Sequence, residues 1–187
     1  FTHYSEGVGR KDCLSFFFVG NMVEDKRGDV WICTEGGGLN YLHRDSRQFT
    51  HYLTDEKSVS PLFSNLKCIE YDEGRDCLYI GTHKQGFFCF DITARKVVYH
   101  TEKMGKSLSK IILRGDSLYI LSGDGLYVKD LKQETMGYLY PSIRETHRAG
   151  SSFLIDSKDY IWIAQHDQLV RINMKMPEEK YIYKYNE

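Results

Sequence analysis

The 187-residue sequence predicts an all-β fold, a β-propeller of about four four-stranded antiparallel blades. Three observations predict it. One apolar core recurs four times, the same turn chemistry flanks the recurrences, and the composition favours strands. The cores are Val30-Trp31-Ile32, Leu78-Tyr79-Ile80, Leu118-Tyr119-Ile120 and Ile161-Trp162-Ile163. Their central aromatics lie 48, 40 and 43 residues apart, a period that fits one propeller blade per repeat. The chain holds 14 Tyr and 10 Phe but only 3 Pro. Aromatic side chains favour strands and proline interrupts them.

Each repeat resolves into the same elements in the same order. A first apolar strand ends in an acidic residue and a turn. Asn21-Met22-Val23-Glu24-Asp25 runs into Lys26-Arg27-Gly28-Asp29, and Leu66-Lys67-Cys68-Ile69-Glu70-Tyr71-Asp72 into Glu73-Gly74-Arg75-Asp76. In the fourth copy Ser152-Phe153-Leu154-Ile155-Asp156 runs into Ser157-Lys158-Asp159. Asp and Gly at these points are hairpin residues, because they bond their own turn backbone or tolerate positive φ. The aromatic core is the second strand. A short loop follows it: Thr34-Glu35-Gly36-Gly37-Gly38, Thr82-His83-Lys84-Gln85-Gly86, Ser122-Gly123-Asp124-Gly125 and Ala164-Gln165-His166-Asp167-Gln168. Third strands start at Leu39, Phe87, Leu126 and Leu169, and a more variable fourth strand closes each repeat, as in Gln48–Tyr52 and Lys96–His100. A single four-stranded sheet cannot bury both faces, so the blades are expected to stack with the central Trp or Tyr between them.

The expected boundaries are blades at 15–52, 64–100, 108–140 and 151–186. Phe1-Thr2-His3-Tyr4 repeats Phe49-Thr50-His51-Tyr52 letter for letter. Residues 1–4 are therefore expected to be the outer strand of a preceding blade. Tyr181-Ile182-Tyr183-Lys184-Tyr185-Asn186 reads as an outer strand leading into another repeat. The expectation is an array cut at both ends.

Composition excludes several classes of partner. Net charge is -1 with no Lys/Arg run, which leaves no field to hold nucleic acid or an anionic membrane. The longest apolar run, Phe16-Phe17-Phe18-Val19, is far short of the roughly 18 residues of a spanning helix. No nucleic-acid partner and no direct membrane insertion are expected, and no signal peptide is visible. The five cysteines, at 13, 33, 68, 77 and 89, are odd in number and form no CxxC pair. They read as unpaired structural residues, with no metal site and no cofactor.

The run Glu24-Asp25-x-x-Gly28-x-Val30-Trp31-Ile32-x-Thr34-x-Gly36-Gly37-Gly38-Leu39-Asn40 resembles the two-component-regulator propeller repeat. The second copy, Ile80-Gly81-Thr82 through Gly86-Phe87, is close to it. The third has Arg114-Gly115-Asp116 in place of the acidic turn, and the fourth lacks both loop glycines. The resemblance covers essentially the whole chain. It implies a larger, seven-bladed array in the periplasmic sensor region of a Bacteroidetes hybrid two-component histidine kinase. Such an array binds an oligosaccharide or other small ligand derived from a glycan. It signals through a membrane-proximal domain to a cytoplasmic kinase. Expected partners are the remaining blades, that membrane-proximal domain, the ligand and, for an open four-blade arc, a second copy.

Catalytic readings find little support. Asp25, Asp72 and Asp156 sit one per blade at a hairpin, unlike a glycosidase pair across a cleft. His83 and His166 lie in matching loops without metal-ligand spacing. Gly36-Gly37-Gly38 precedes a strand, so it is a turn and not a phosphate cradle. No Gly-x-Ser-x-Gly elbow occurs. The best binding candidates are the polar residues of the loops after the second strand: Glu35, His83, Lys84, Gln85, Asp124, Gln165, His166 and Asp167. Polar loops on a rigid scaffold are where binding concentrates. The expected function is non-catalytic ligand sensing. The rivals are a propeller lyase or glycosidase acting on polysaccharide, and a protein-interaction scaffold.

Overall fold

The computed structural model describes Tyr4 and residues 12–54, 64–104, 107–141, 152–165 and 168–184. Within these the chain is all-β, with sixteen strands in four antiparallel four-stranded sheets. Blade 1 contains β1 (Val19–Glu24), β2 (Val30–Thr34), β3 (Gly38–Leu42) and β4 (Phe49–Tyr52). Blade 2 contains β5 (Leu66–Asp72), β6 (Cys77–Thr82), β7 (Phe87–Asp91) and β8 (Lys96–Thr101). Blade 3 contains β9 (Leu108–Arg114), β10 (Ser117–Ser122), β11 (Gly125–Asp130) and β12 (Met136–Pro141). Blade 4 contains β13 (Ser152–Ile155), β14 (Tyr160–Gln165), β15 (Gln168–Asn173) and β16 (Lys180–Lys184). In every blade the strands pair in sequence order. The first strands are innermost, since β5 packs beside both β1 and β9, and β9 beside β13.

Blades meet through three apolar cores, each shared by two neighbours. Trp31, Cys33, Leu39 and Tyr41 of blade 1 pack on Ile69, Leu78, Ile80, Phe88 and Phe90 of blade 2. Cys68, Tyr79, Phe87 and Cys89 on the other face of blade 2 pack on Leu108, Ile111, Leu118 and Ile120. Leu121, Leu126 and Tyr140 of blade 3 pack on Phe153, Ile161, Ile163, Val170 and Ile172. Alternation along β6 shows the cause: Leu78 and Ile80 face one neighbour, Cys77 and Tyr79 the other. A strand sandwiched in this way is buried on both sides, and all six residues of β6 are buried. All five cysteines are buried free thiols.

The central aromatics fill the joints as expected in the first three blades. Trp31 is 1% exposed and packs against Tyr41 (ring centroids 4.2 Å), Tyr52 (5.7 Å) and Phe90 (5.8 Å). Tyr79 and Tyr119 join the second and third cores. Trp162 differs: it is half-buried, on the face of blade 4 turned away from blade 3.

The acidic turns are built as the sequence suggests, and they do more. Asp25 Oδ1 accepts from the Arg27 and Asp29 amides (2.9 and 3.3 Å), and Asp156 Oδ1 from the Lys158 and Tyr160 amides (both 2.9 Å). The other oxygen of each carboxylate accepts the indole N–H six residues on: Trp31 to Asp25 at 3.0 Å, Trp162 to Asp156 at 2.8 Å. One carboxylate thus closes the turn and sets the rotamer of the joint-filling ring. Burial alone would raise the Asp25 carboxyl, but the Trp31 and Arg27 hydrogen bonds outweigh it and hold the pKa below its ordinary value.

Salt links step from blade to blade along these turns. Arg27 and Lys26 reach Asp76 of blade 2 (3.9 and 3.4 Å), Arg75 reaches Asp116 of blade 3 (2.7 Å), and Arg114 reaches Asp159 of blade 4 (3.2 Å). In each case a cation of one turn meets the last aspartate of the next.

Candidate functional site

The loops after the second strands lie at the opposite ends of the strands from these turns. The loops of blades 1 to 3 are tied into a rim by the segments that lead into the first strands of blades 2 and 3. Ser64 accepts from the Gly36 and Gly38 amides (2.9 and 3.0 Å), and Asn65 bridges Glu35 and accepts from the His83 amide (3.1 Å). Ser107 repeats the arrangement one blade on: its carbonyl accepts from the Gly123 amide (3.0 Å), and its hydroxyl lies 3.3 Å from His83 Nδ1. Each lead-in segment therefore touches the loop of its own blade and that of the blade before.

The loop backbone follows from its residues. Thr34 and Thr82 each donate a hydroxyl hydrogen bond to the carbonyl four residues on, at Gly38 and Gly86, both at 2.9 Å. Those glycines have φ of +74° and +68°, and a Cβ at either would strike the backbone carbonyl of the outermost strand at Tyr52 or Thr101. Only glycine fits there. In blade 3 the loop is shorter, with Ser122 paired directly to Gly125. The buried Ser122 hydroxyl consequently has no partner.

The structure brings five of the candidate residues to this rim with described side chains. Glu35 faces blade 2 and is engaged there, its Oε1 2.6 Å from Lys67 Nζ. His83 and Lys84 are exposed at the crest of the blade 2 loop. The Gln85 carbonyl accepts from His100 Nε2 (2.8 Å), which fixes the proton on that nitrogen, while Gln85 Oε1 is buried without a protein donor. Asp124 accepts from Tyr127 Oη at Oδ2 (2.9 Å), and its carbonyl accepts from Tyr138 Oη (2.5 Å). Its Oδ1 is buried with no donor. Burial first, and then the Asp124 bond, raise the Tyr127 pKa, so the phenol stays a donor. Gln165 ends β14 opposite Gln168. His166 and Asp167 lie outside the described residues.

Sequence reasoning missed Asn65, Lys67 and Ser107. They precede or open first strands, and nothing in their local pattern marks a site; only the repeat offset from one loop to the next lead-in segment does. Asn65 Oδ1 is another buried acceptor without a donor. The rim thus exposes His83 and Lys84, while the acceptor atoms of Asn65, Gln85 and Asp124 lie buried beneath its surface. The exposed imidazole and ammonium can donate to the oxygens of a partner. Among the described residues no group of three His, Cys, Asp or Glu side chains converges as a metal site would require.

No family model matches this sequence, and no curated protein does. Solved structures match it closely in fold. The extracellular domain of the hybrid two-component system BT3049 from B. thetaiotaomicron superposes with a TM-score of 0.80 at 18% identity, over 100% of this chain and 24% of that one. The extracellular domain of the hybrid two-component system BT4673 from the same organism gives 0.77 at 20% identity, over 95% and 26%. The WD40 repeats of RRP9 give 0.68 at 13% identity, over 96% and 52%. The fold class is therefore a β-propeller segment, and the chain is structurally similar to extracellular domains of hybrid two-component systems. It spans about a quarter of the length of those two chains.

Proposed function

We propose that this chain is a non-catalytic ligand-sensing segment in the periplasmic part of a hybrid two-component histidine kinase. Its ligand is an oligosaccharide released from a glycan. The observation that carries the reading is the whole-chain likeness to the extracellular domains of hybrid two-component systems, at a quarter of their length. The rim supports the ligand class, because exposed His83 and Lys84 can donate hydrogen bonds to saccharide oxygens. Binding would favour one arrangement of propeller and membrane-proximal domain over another and so shift the signalling equilibrium.

Isothermal titration of the full-length protein with an oligosaccharide panel tests this reading. The expected result is saturable heat with one class of sugar, reduced in His83→Ala and Lys84→Ala. Turnover of the saccharide would replace the reading with the lyase or glycosidase alternative. Absence of saturable heat across the panel would replace it with the scaffold alternative.

A further inference from the structure

The longest apolar run of the sequence, Phe16-Phe17-Phe18-Val19, belongs to none of the three apolar cores between blades. It lies at the rim, where Phe17 and Phe18 are 57% and 58% exposed. Their rings form a ladder with Phe16. Centroids are 4.6 Å apart for Phe16 and Phe17 and 4.4 Å for Phe17 and Phe18. Phe16 seats the ladder on the blade 1 loop. A Cβ at Gly36 would stand 2.8 Å from Phe16 Cε1, and one at Gly37 2.6 Å from Phe16 Cβ, so only glycines leave room for it. An ion pair stands beside the ladder. The Glu35 amide donates to the Phe18 carbonyl (2.9 Å), and Glu35 Oε1 lies 2.6 Å from Lys67 Nζ. Both charged side chains are partly open to solvent.

Blade assembly explains the place of these residues but not their side chains. The Phe18 carbonyl accepts from Glu35 as the Asn65 carbonyl accepts from His83 and the Ser107 carbonyl from Gly123. Phe18, Asn65 and Ser107 are therefore equivalent, and backbone groups make the join between lead-in segment and loop. In blades 2 and 3 the equivalent side chains are small, polar and half-buried, whereas blade 1 places exposed phenyl rings there. A β-bulge follows in each first strand, at Gly20-Asn21, Lys67 and Ser109. Bulges re-aim side chains near functional sites, and in blade 2 the bulged residue is Lys67 itself. An exposed aromatic cluster of this kind is unfavourable in water unless a partner covers it.

We propose that Phe17 and Phe18 stack the apolar face of a neutral hexopyranose unit, and that Glu35 and Lys67 hold its hydroxyls. A pyranose with mostly equatorial hydroxyls presents a face of axial C–H bonds that lies flat on a phenyl ring. Its hydroxyls project sideways, where a carboxylate accepts and an ammonium donates. The unit is neutral because Lys67 is already paired with Glu35, which leaves no net charge for a uronate or a sulfate. His83 and Lys84 stand on the next loop of the same rim and would engage a further unit of the oligosaccharide. Resting on the sensing reading, this assignment narrows it to an oligosaccharide with a neutral hexopyranose at blade 1. Another part of the chain and a second copy are the competing occupants of the phenyl surface.

The test uses the full-length protein. Hydroxyl-radical footprinting of the free protein reads the oxidation of Phe17 and Phe18 against that of the buried Phe88. Isothermal titration then uses two sets of probes: neutral gluco-, galacto- and manno-oligosaccharides, and oligogalacturonates. Both sets are titrated into the wild type, Phe17→Ala, Phe18→Ala, Phe18→Trp and His83→Ala. The expected result is oxidation of both phenyls faster than Phe88, and binding of a neutral oligosaccharide. Phe18→Ala should weaken that binding about tenfold, and Phe18→Trp, which keeps the stack, should stay within about threefold of the wild type. The urea midpoint of Phe18→Ala should match the wild type, because the ring is exposed. Oxidation as slow as that of Phe88 would mean that another part of the chain or a second copy covers the rings, and would overturn the inference. Equal losses in Phe18→Ala and Phe18→Trp would also overturn it, by assigning the ring a structural role. Binding of oligogalacturonates alone, or neutral binding lost in His83→Ala but unchanged in Phe17→Ala and Phe18→Ala, overturns the inference and keeps the sensing reading. Absence of binding with every probe removes both.

Discussion

Asp25 and Asp156 make the same bonds in different surroundings, which allows their energetics to be compared inside one molecule. Asp25→Ala removes the acceptor from the Trp31 indole N–H, and Trp31 is 1% exposed. An unpaired buried donor costs about 1–3 kcal/mol, and the two turn amides left with weaker partners add about 1 kcal/mol. The lost ion pair to Arg27, whose side chain is 42% exposed, adds less than about 0.5 kcal/mol. The expected loss is therefore about 2–4 kcal/mol, which for a chain of this size lowers Tm by roughly 4–16 °C. Asp156→Ala removes the same acceptor from Trp162, but that indole lies at a half-buried face where water can replace it, so the expected loss is clearly smaller than for Asp25→Ala. Urea denaturation of the 187-residue chain, followed by far-UV circular dichroism, measures both. Equal losses for the two variants would refute the reasoning. So would an Asp25→Ala loss within about 0.5 kcal/mol of zero, because that is the scale of an ordinary surface substitution.

Other outcomes follow from the same geometry. Gly86→Ala should cost about 2 kcal/mol or more, since its Cβ meets the Thr101 carbonyl at φ +68°. Gly115→Ala should cost only about 1 kcal/mol, because φ is +58° but nothing lies within 4 Å; chemical denaturation distinguishes the two. The pKa values of Asp25, Asp116 and Asp156 are held below the ordinary value of 3.8. Their contribution to stability is therefore present above that value and lost as pH falls through the lower folded values. Burial raises the Glu70 carboxyl, with the opposite sign, so its protonation on acidification favours the folded state. The urea midpoint should accordingly hold between pH 6 and about pH 5 and fall below about pH 4; a steep loss between pH 6 and 5 would contradict these assignments. The five buried thiols should react with a disulfide reagent only as fast as the chain opens, and burial pushes Cys68 up to about 12. Rapid labelling of Cys33 or Cys68 in the native protein would contradict the packing of the first two joints.

The fold was legible because a blade repeats its physics. Each second strand must be apolar on both faces to sit between neighbours, so Val30-Trp31-Ile32 and its three relatives stand out without any alignment. The turn aspartates were legible as turn residues, but their bonds to Trp31 and Trp162 were not. A six-residue spacing across a hairpin has no meaning until the strands pair. The rim was half legible. Polar loop residues such as Gln85 and Asp124 announce themselves, whereas Asn65 and Ser107 gain their place from the crossing between blades. The half-buried state of Trp162 was hidden for a related reason: its repeat looks like that of Trp31, and only the packing shows that no described residue covers it as blade 2 covers Trp31.

The central claim is that this chain is part of a propeller that reads a sugar at the rim of its second-strand loops. The structure of the full-length extracytoplasmic region with a bound oligosaccharide tests it most directly. The account predicts these four blades within a larger propeller, and the saccharide on the side of Asn65, His83, Gln85 and Asp124. A saccharide held on the opposite side, among the turns of Asp25, Asp72 and Asp156, would contradict it.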